Sequence, residues 1–173
     1  LYNYINKPWK SQERVSQILT DMYSNTPDGL SGNEDCGQMS SWYVLSALGI
    51  YSVTPGLDYY TIGSPRLNKA MINLENGNQF KIIAHGASKE NMYIKSALLN
   101  GVPFTRSYIY HSEIMNGGIL EFEMSSEPNK LWASLDSNIP ISSIDENKIV
   151  AVPYVHSGSR TFSNQNTIKH GDT

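Results

Sequence analysis

The 173-residue chain has one cysteine, Cys36, no run of lysine or arginine, and no long apolar stretch. A single thiol excludes an internal disulfide and most zinc sites, and as a small residue within a core it would be inert in any compartment. With a net charge of −3 and a pI near 5.8, the chain lacks the footprint of a nucleic-acid or anionic-membrane binder. Nothing in it reads as a bilayer span or a secretory signal. Its four histidines, His85, His111, His156 and His170, have neither metal-site spacing nor an acidic partner at a ligand interval. His111 reads instead as a hydrogen-bonded structural residue at a strand end. The chain also lacks an initiator methionine and opens within structured-looking sequence, LYNYINKPWK. The expectation is a piece of a longer protein, with any targeting signal upstream.

What is present falls into two patterns. In KSQERVSQILTDMYS, Val15, Ile18, Leu19 and Met22 follow the i, i+3, i+4, i+7 rule and predict one helical face. Pro8 suits the start of that helix, and Pro27, Asp28 and Gly29 mark the loop after it. A second helix is expected from about Cys36 to Leu48, burying Met39, Trp42, Tyr43, Leu45 and Leu48, with Gly49 as its stop. Beyond Tyr59, short β-branched and aromatic runs recur: YYTIG, KAMINL, QFKIIAH, NMYIKSALL, FTRSYIY, GGILEFEM and KIVAVPYV. Asn76-Gly77 and Asn100-Gly101 are hairpin signals, so this half reads as an antiparallel sheet or sandwich. The class is α+β. Two amphipathic helices cannot close a bundle, so their apolar faces must meet the sheet or helices outside the chain.

The chemistry concentrates in GLSGNEDCGQMSSWY, residues 29–43. Asp35 with Gln38 three residues on matches a capping-box pattern, which would make Asp35 the start of the second helix. Glu34 would then be a loop carboxylate favoured by the helix dipole. A cap needs only one of these residues, however. Three glycines around the carboxylates, with Asn33, Gln38, Trp42 and Tyr43 beside them, are what a sugar site would use. Capping and catalysis by one carboxylate are compatible.

The string GLSGNEDCGQMSSWYVLSALGIYSVTPG, followed by YTIGSP, resembles the C-terminal part of the catalytic region of glycoside hydrolase family 92, the α-mannosidases. The resemblance extends through YNYINKPWKSQ upstream, FKIIAHGASKENMYIKSALLNG, the H-x2-I-x2-GG-x-L pattern of His111 to Leu120, and Pro128-Asn129. It covers about residues 1–132 and implies a division of the chain. Residues 1–55 would be the last helices of an (α/α)6 barrel. Residues 56–132 would be the antiparallel β-rich region. Residues 133–173 would be a linker and a strand (PYVHSGSRTFSNQNTI) entering a further β-domain.

The resemblance further implies an inverting, calcium-dependent exo-α-mannosidase of α-1,2 type that acts on α-mannoside glycans and is secreted or periplasmic. Carried over, the general base falls on Asp35, with Glu34 ranked below it. Asn33 stands where many members have an acidic residue. Asn33, Gln38 and Trp9 are the expected sugar contacts. The general acid and the calcium ligands are expected upstream of this chain, with no metal ligand in it. The fragment alone is therefore expected to be inactive and to self-associate through its helices. The alternative is a non-catalytic mannose-binding module, which Asn33 keeps open, or a self-associating structural module.

Overall fold

The computed structural model describes residues 1–141, which form one compact unit. The expected strand in KIVAVPYV and the further β-domain lie outside the described residues.

A short 3-10 turn (Tyr2–Ile5) leads into helix α1, Pro8–Asp21, with Pro8 in its first turn. The face that α1 buries differs from the expected one. Pro8, Gln12, Ser16 and Leu19 are buried, Val15 and Ile18 are half-buried, and Met22 is 50% exposed. The reason is that the polar residues have partners on the sheet side. The Gln12 side-chain carbonyl accepts from the backbone N–H of Ile94 at 3.1 Å, and Arg66 donates to the Ser16 hydroxyl at 3.2 Å. The Gln12 bond falls where strand pairing shifts register, between Ile94 and Ser96. Val15 and Ile18 are left lining an open groove of about 370 Å³ with Trp42, Tyr51 and Val53.

Helix α2 runs from Gln38 to Leu48, two residues shorter at its start than expected, and ends at Gly49 in the left-handed region (φ 88°). It buries Ser46 and Ala47 rather than its large residues. Met39, Trp42, Leu45 and Leu48 are half-buried and Tyr43 is exposed. The buried residues of α2 are in its last turns, against the strand region. There Ala47 accepts from the Arg66 N–H, and small side chains permit the approach.

Two sheets follow. Strands β1 (Ile50–Tyr51), β2 (Tyr59–Ile62) and β7 (Tyr108–Tyr110) form an antiparallel sheet in that order. Buried Asn3 ties the N-terminal turn to it, donating to the carbonyls of Ile62 and Ser107 at 2.8 and 2.9 Å. Strands β3 (Lys69–Asn73), β4 (Gln79–His85), β5 (Tyr93–Leu99), β6 (Val102–Pro103) and β8 (Gly118–Ser125) form a five-stranded sheet, order β3-β4-β8-β5-β6. Both expected hairpins form, β3–β4 and β5–β6. At the second, Asn100 (φ 53°) and Gly101 (φ 80°) supply the two left-handed residues that such a turn requires.

The expectation of a wholly antiparallel sheet is corrected by one pair: β4 and β8 run parallel. The chain between them builds β5, β6, β7 and the short helix α3 (His111–Met115) before returning beside β4. A parallel pair needs such a long connection. FTRSYIY is strand only over its last three residues, because the Arg106 guanidinium turns over the Phe104, Tyr108 and Tyr110 rings and pairs with Glu113 at 2.6 Å. Glu113 in turn accepts from the Tyr110 N–H and fixes the start of α3. His111 opens α3 rather than ending a strand, and its Nδ1 lies 3.1 Å from the Tyr60 hydroxyl.

One face of the five-stranded sheet carries the core. β4 alternates exposed and buried, placing Phe80, Ile82 and Ala84 inward beside Leu120, Phe122 and Met124 of β8. Ile94, Ala97, Ile109, Ile114, Phe104 and Trp132 join the cluster, with Ile50 and Ile62 of the three-stranded sheet and Ala133.

Candidate active site

The segment between α1 and α2, residues 22–37, folds back on itself before it delivers the carboxylates. Tyr23 and Leu30 form an antiparallel bridge, and Ser24 N–H donates to the Gly29 carbonyl at 2.9 Å. A Cβ at Gly29 would sit 1.9 Å from the Ser24 carbonyl oxygen, so only glycine fits this crossing. Beneath the loop, Tyr23 stacks on Trp42 (centroids 5.7 Å, planes 10° apart) and meets Tyr43 at 4.9 Å. Trp42 continues to Tyr51. The Tyr23 hydroxyl donates to the Met39 carbonyl at 3.1 Å, which pins this aromatic group to the first turn of α2. Burial pushes the Tyr23 phenol above its ordinary value of 10.0, and the nearby Glu34 carboxylate and Tyr51 add to the shift.

The carboxylates reverse the capping assignment. Asp35, Cys36 and Gly37 all have positive φ (48°, 61° and 91°), and Gly37, not Asp35, is the N-cap. The expected side-chain pairing of Asp35 with Gln38 does not form; only a long backbone bond of 3.4 Å joins them. Glu34 does the capping: its Oε1 accepts from the Ser40 N–H, in the first turn of α2, at 3.1 Å. Its other oxygen, Oε2, is buried without a hydrogen-bond partner among the described residues. Asp35 is exposed, and its carboxylate makes no hydrogen bond or ion pair with any described residue. Left-handed backbone at two successive non-glycine residues costs about 1–3 kcal/mol each and persists only where the surroundings enforce it. Cys36, expected to be buried, is exposed, because the turn swings it away from the helix it was expected to start.

The structure brings Asn33, Glu34, Asp35 and Gln38 together on one turn, with Asn33 and Gln38 exposed beside Asp35. Trp9 is not part of that group. It sits in the first turn of α1 whereas the loop follows the last, and the helix between Trp9 and Asp21 rises about 18 Å. Lys10 and Lys130 place their ammonium groups 5.2 and 5.4 Å from the Trp9 ring. A second groove, about 450 Å³, adjoins the loop and is lined by Tyr23, Leu30, Ser40, Tyr43 and Val44 among others. Tyr23 and Ser40 were not singled out in the sequence. An aromatic just past the end of an amphipathic helix was the available signal for Tyr23, and Ser40 offered none because it acts through its backbone. Calcium takes roughly 6–8 oxygen ligands. Glu34 and Asp35 alone do not make such a site, and no cluster of three or more His, Cys, Asp or Glu able to hold a metal occurs among the described residues.

Comparison with known proteins bears on this loop directly. Residues 1–126 match the glycosyl hydrolase family 92 catalytic domain. A family GH92 α-mannosidase from Bacteroides thetaiotaomicron, solved with mannoimidazole, superposes with a TM-score of 0.79 at 40% identity, covering 82% of this chain and 19% of that one. A family GH92 inverting mannosidase from B. thetaiotaomicron VPI-5482 superposes with a TM-score of 0.76, also at 40% identity, over 80% of this chain and 19% of its own. An uncharacterized secreted glycosidase of Arthroderma benhamiae is 30% identical over 145 residues, which are 82% of this chain and 19% of that protein. The chain thus spans about a fifth of the length of each of these relatives.

Proposed function

The chain belongs to glycosyl hydrolase family 92, and from that premise we propose that it supplies the general-base loop of a longer inverting exo-α-mannosidase. Asp35 is the base. The observation that carries this reading is its placement: an exposed carboxylate, relieved of capping by Glu34, held out on a left-handed turn. In inverting hydrolysis the base takes a proton from water while that water attacks the anomeric carbon on the face opposite the leaving group. A carboxylic acid about 6.5–9.5 Å away protonates the departing glycosidic oxygen. That acid comes from outside this chain, as do the calcium ligands. Asn33 and Gln38 flank Asp35 and contact the sugar.

The substrates are α-mannoside glycans, with α-1,2 linkages preferred. The protein works in a secreted or periplasmic setting. The secreted fungal relative supports this.

The test is Asp35→Asn in the complete enzyme, with α-mannoside turnover and melting temperature measured together. Asparagine cannot take the proton. Turnover should fall by about 10²–10⁴-fold with the melting temperature held; retained turnover refutes Asp35 as base. The isolated chain, lacking the acid, should show no turnover. The self-associating reading keeps a specific support in the apolar groove along α1, and sedimentation of the isolated chain measures it.

A further inference from the structure

We infer that Glu34 is a positioning residue for the reaction, a staple that closes the left-handed turn and so aims Asp35, and takes no proton itself. This rests on the reading of Asp35 as base.

The turn has three successive residues in the left-handed region, two of them with side chains. Its backbone closure is weak. Gln38 N–H reaches the Asp35 carbonyl at 3.4 Å and Met39 N–H the Glu34 carbonyl at 3.3 Å, both long for such bonds. The shorter link across the turn is the bond at 3.1 Å from Ser40 N–H to Glu34 Oε1, which spans six residues. Glu34 therefore holds both sides of the turn, through its own carbonyl and through its carboxylate. Asp35 and Cys36 lie within the span and contribute no side-chain hydrogen bond to it among the described residues. An ionised acceptor at a helix N-terminus makes a stronger bond than a neutral one, which explains glutamate here rather than glutamine.

The second oxygen separates positioning from chemistry. Oε2 is buried and has no hydrogen-bond partner among the described residues. A water-activating base needs an oxygen open to water, and Asp35 has that while Glu34 Oε2 does not. The two carboxylates are adjacent in sequence and opposite in duty.

The test uses the intact enzyme carrying this chain, with Glu34→Ala, Glu34→Gln and Asp35→Asn compared for kcat, KM, pH–rate profile and amide exchange at Ser40. Misplacement by about 1 Å can cost about 10²-fold, so Glu34→Ala should lower kcat by roughly that factor with KM little changed. Glutamine keeps an acceptor at Oε1, so Glu34→Gln should stay within about tenfold of the parent and keep the same acid limb of the pH profile. Ser40 amide exchange should accelerate in Glu34→Ala and hold in Glu34→Gln. The inference is overturned if Glu34→Gln is as inactive as Asp35→Asn, or if Glu34→Ala leaves kcat or the Ser40 amide unchanged. Failure of the base reading looks different: Asp35→Asn stays active while Ser40 exchange still depends on Glu34.

Discussion

The five-stranded sheet and the α1–α2 segment come from one compact unit yet use their residues in opposite ways. The sheet buries Phe80, Ile82, Leu120 and Phe122 almost completely and places no candidate catalytic group on that face. The helical segment leaves Tyr43 and Val44 exposed, buries Gln12 and Ser16, and places the exposed carboxylate of Asp35 on a strained turn. Stability and chemistry are held in different places. The sheet can be packed as tightly as the core allows because nothing in it must meet a substrate. The turn tolerates strain because the sheet, through α1 and the end of α2, fixes the ground on which it stands.

If this division holds, the largest loss of stability comes from the sheet. Phe122 is fully buried at the centre of β8, and Phe122→Ala should destabilise the chain by about 3–5 kcal/mol in denaturant unfolding. A loss comparable to that of an exposed valine would mean that the core is not where the fold is held. Next comes Gly29→Ala. The new methyl would collide with the Ser24 carbonyl, and overpacking of this kind costs about 1–3 kcal/mol. Because Gly29 lies in the segment that delivers the carboxylates, the same change should lower turnover of the intact enzyme beyond what its melting temperature explains. Equal effects on both would erase the distinction between the regions.

These two residues also mark what the sequence could and could not disclose. Alternation in QFKIIAH and GGILEFEM identifies the strands and their buried faces, because a sheet with one dry face imposes a period of two. It does not identify which strands are neighbours, and so the parallel β4–β8 pair is illegible locally. In α1 the apolar period is real but divided: Val15 and Ile18 line the groove, while Leu19 goes inward with Gln12 and Ser16. A glutamine that completes a strand's hydrogen bonding is indistinguishable in sequence from a solvated one. The motif around Glu34-Asp35 is legible as a site and misleading as a cap. Asp-x-x-Gln fits the capping pattern, yet three left-handed residues move the helix start to Gln38 and hand the capping to Glu34. The chain's own sequence gives no sign of that turn beyond Gly37.

A smaller effect tests the three-stranded sheet that holds the N-terminal turn. Tyr59 on β2 is buried, donates to the Ile141 carbonyl at 2.9 Å, and lies 3.3 Å from the Tyr4 hydroxyl of the N-terminal turn. Burial, and then the bond to Tyr4, raise its pKa well above the ordinary 10.0. A phenol held more firmly protonated in the folded chain contributes its full stability below pH 10.0, and loses it as pH climbs toward the folded value. Tyr59→Phe should cost about 1 kcal/mol at neutral pH and flatten the alkaline fall in melting temperature above pH 10.0. An unchanged alkaline limb would assign that limb to other tyrosines.

The smallest expected effect on folding is the one that most sharpens the contrast. Val44 and Val53 are 57% and 45% exposed and line the two grooves along the helical segment. Since the chain does not bury them, Val44→Ser with Val53→Ser should change its stability by no more than about 0.5 kcal/mol each. Their apolar surface remains available to other chains, so the double variant should self-associate less in sedimentation at matched concentration. A large loss of stability would show that these faces are already part of this chain's core. Then the helical segment would be a second stabilising region, and its strained turn would have to be explained without the sheet.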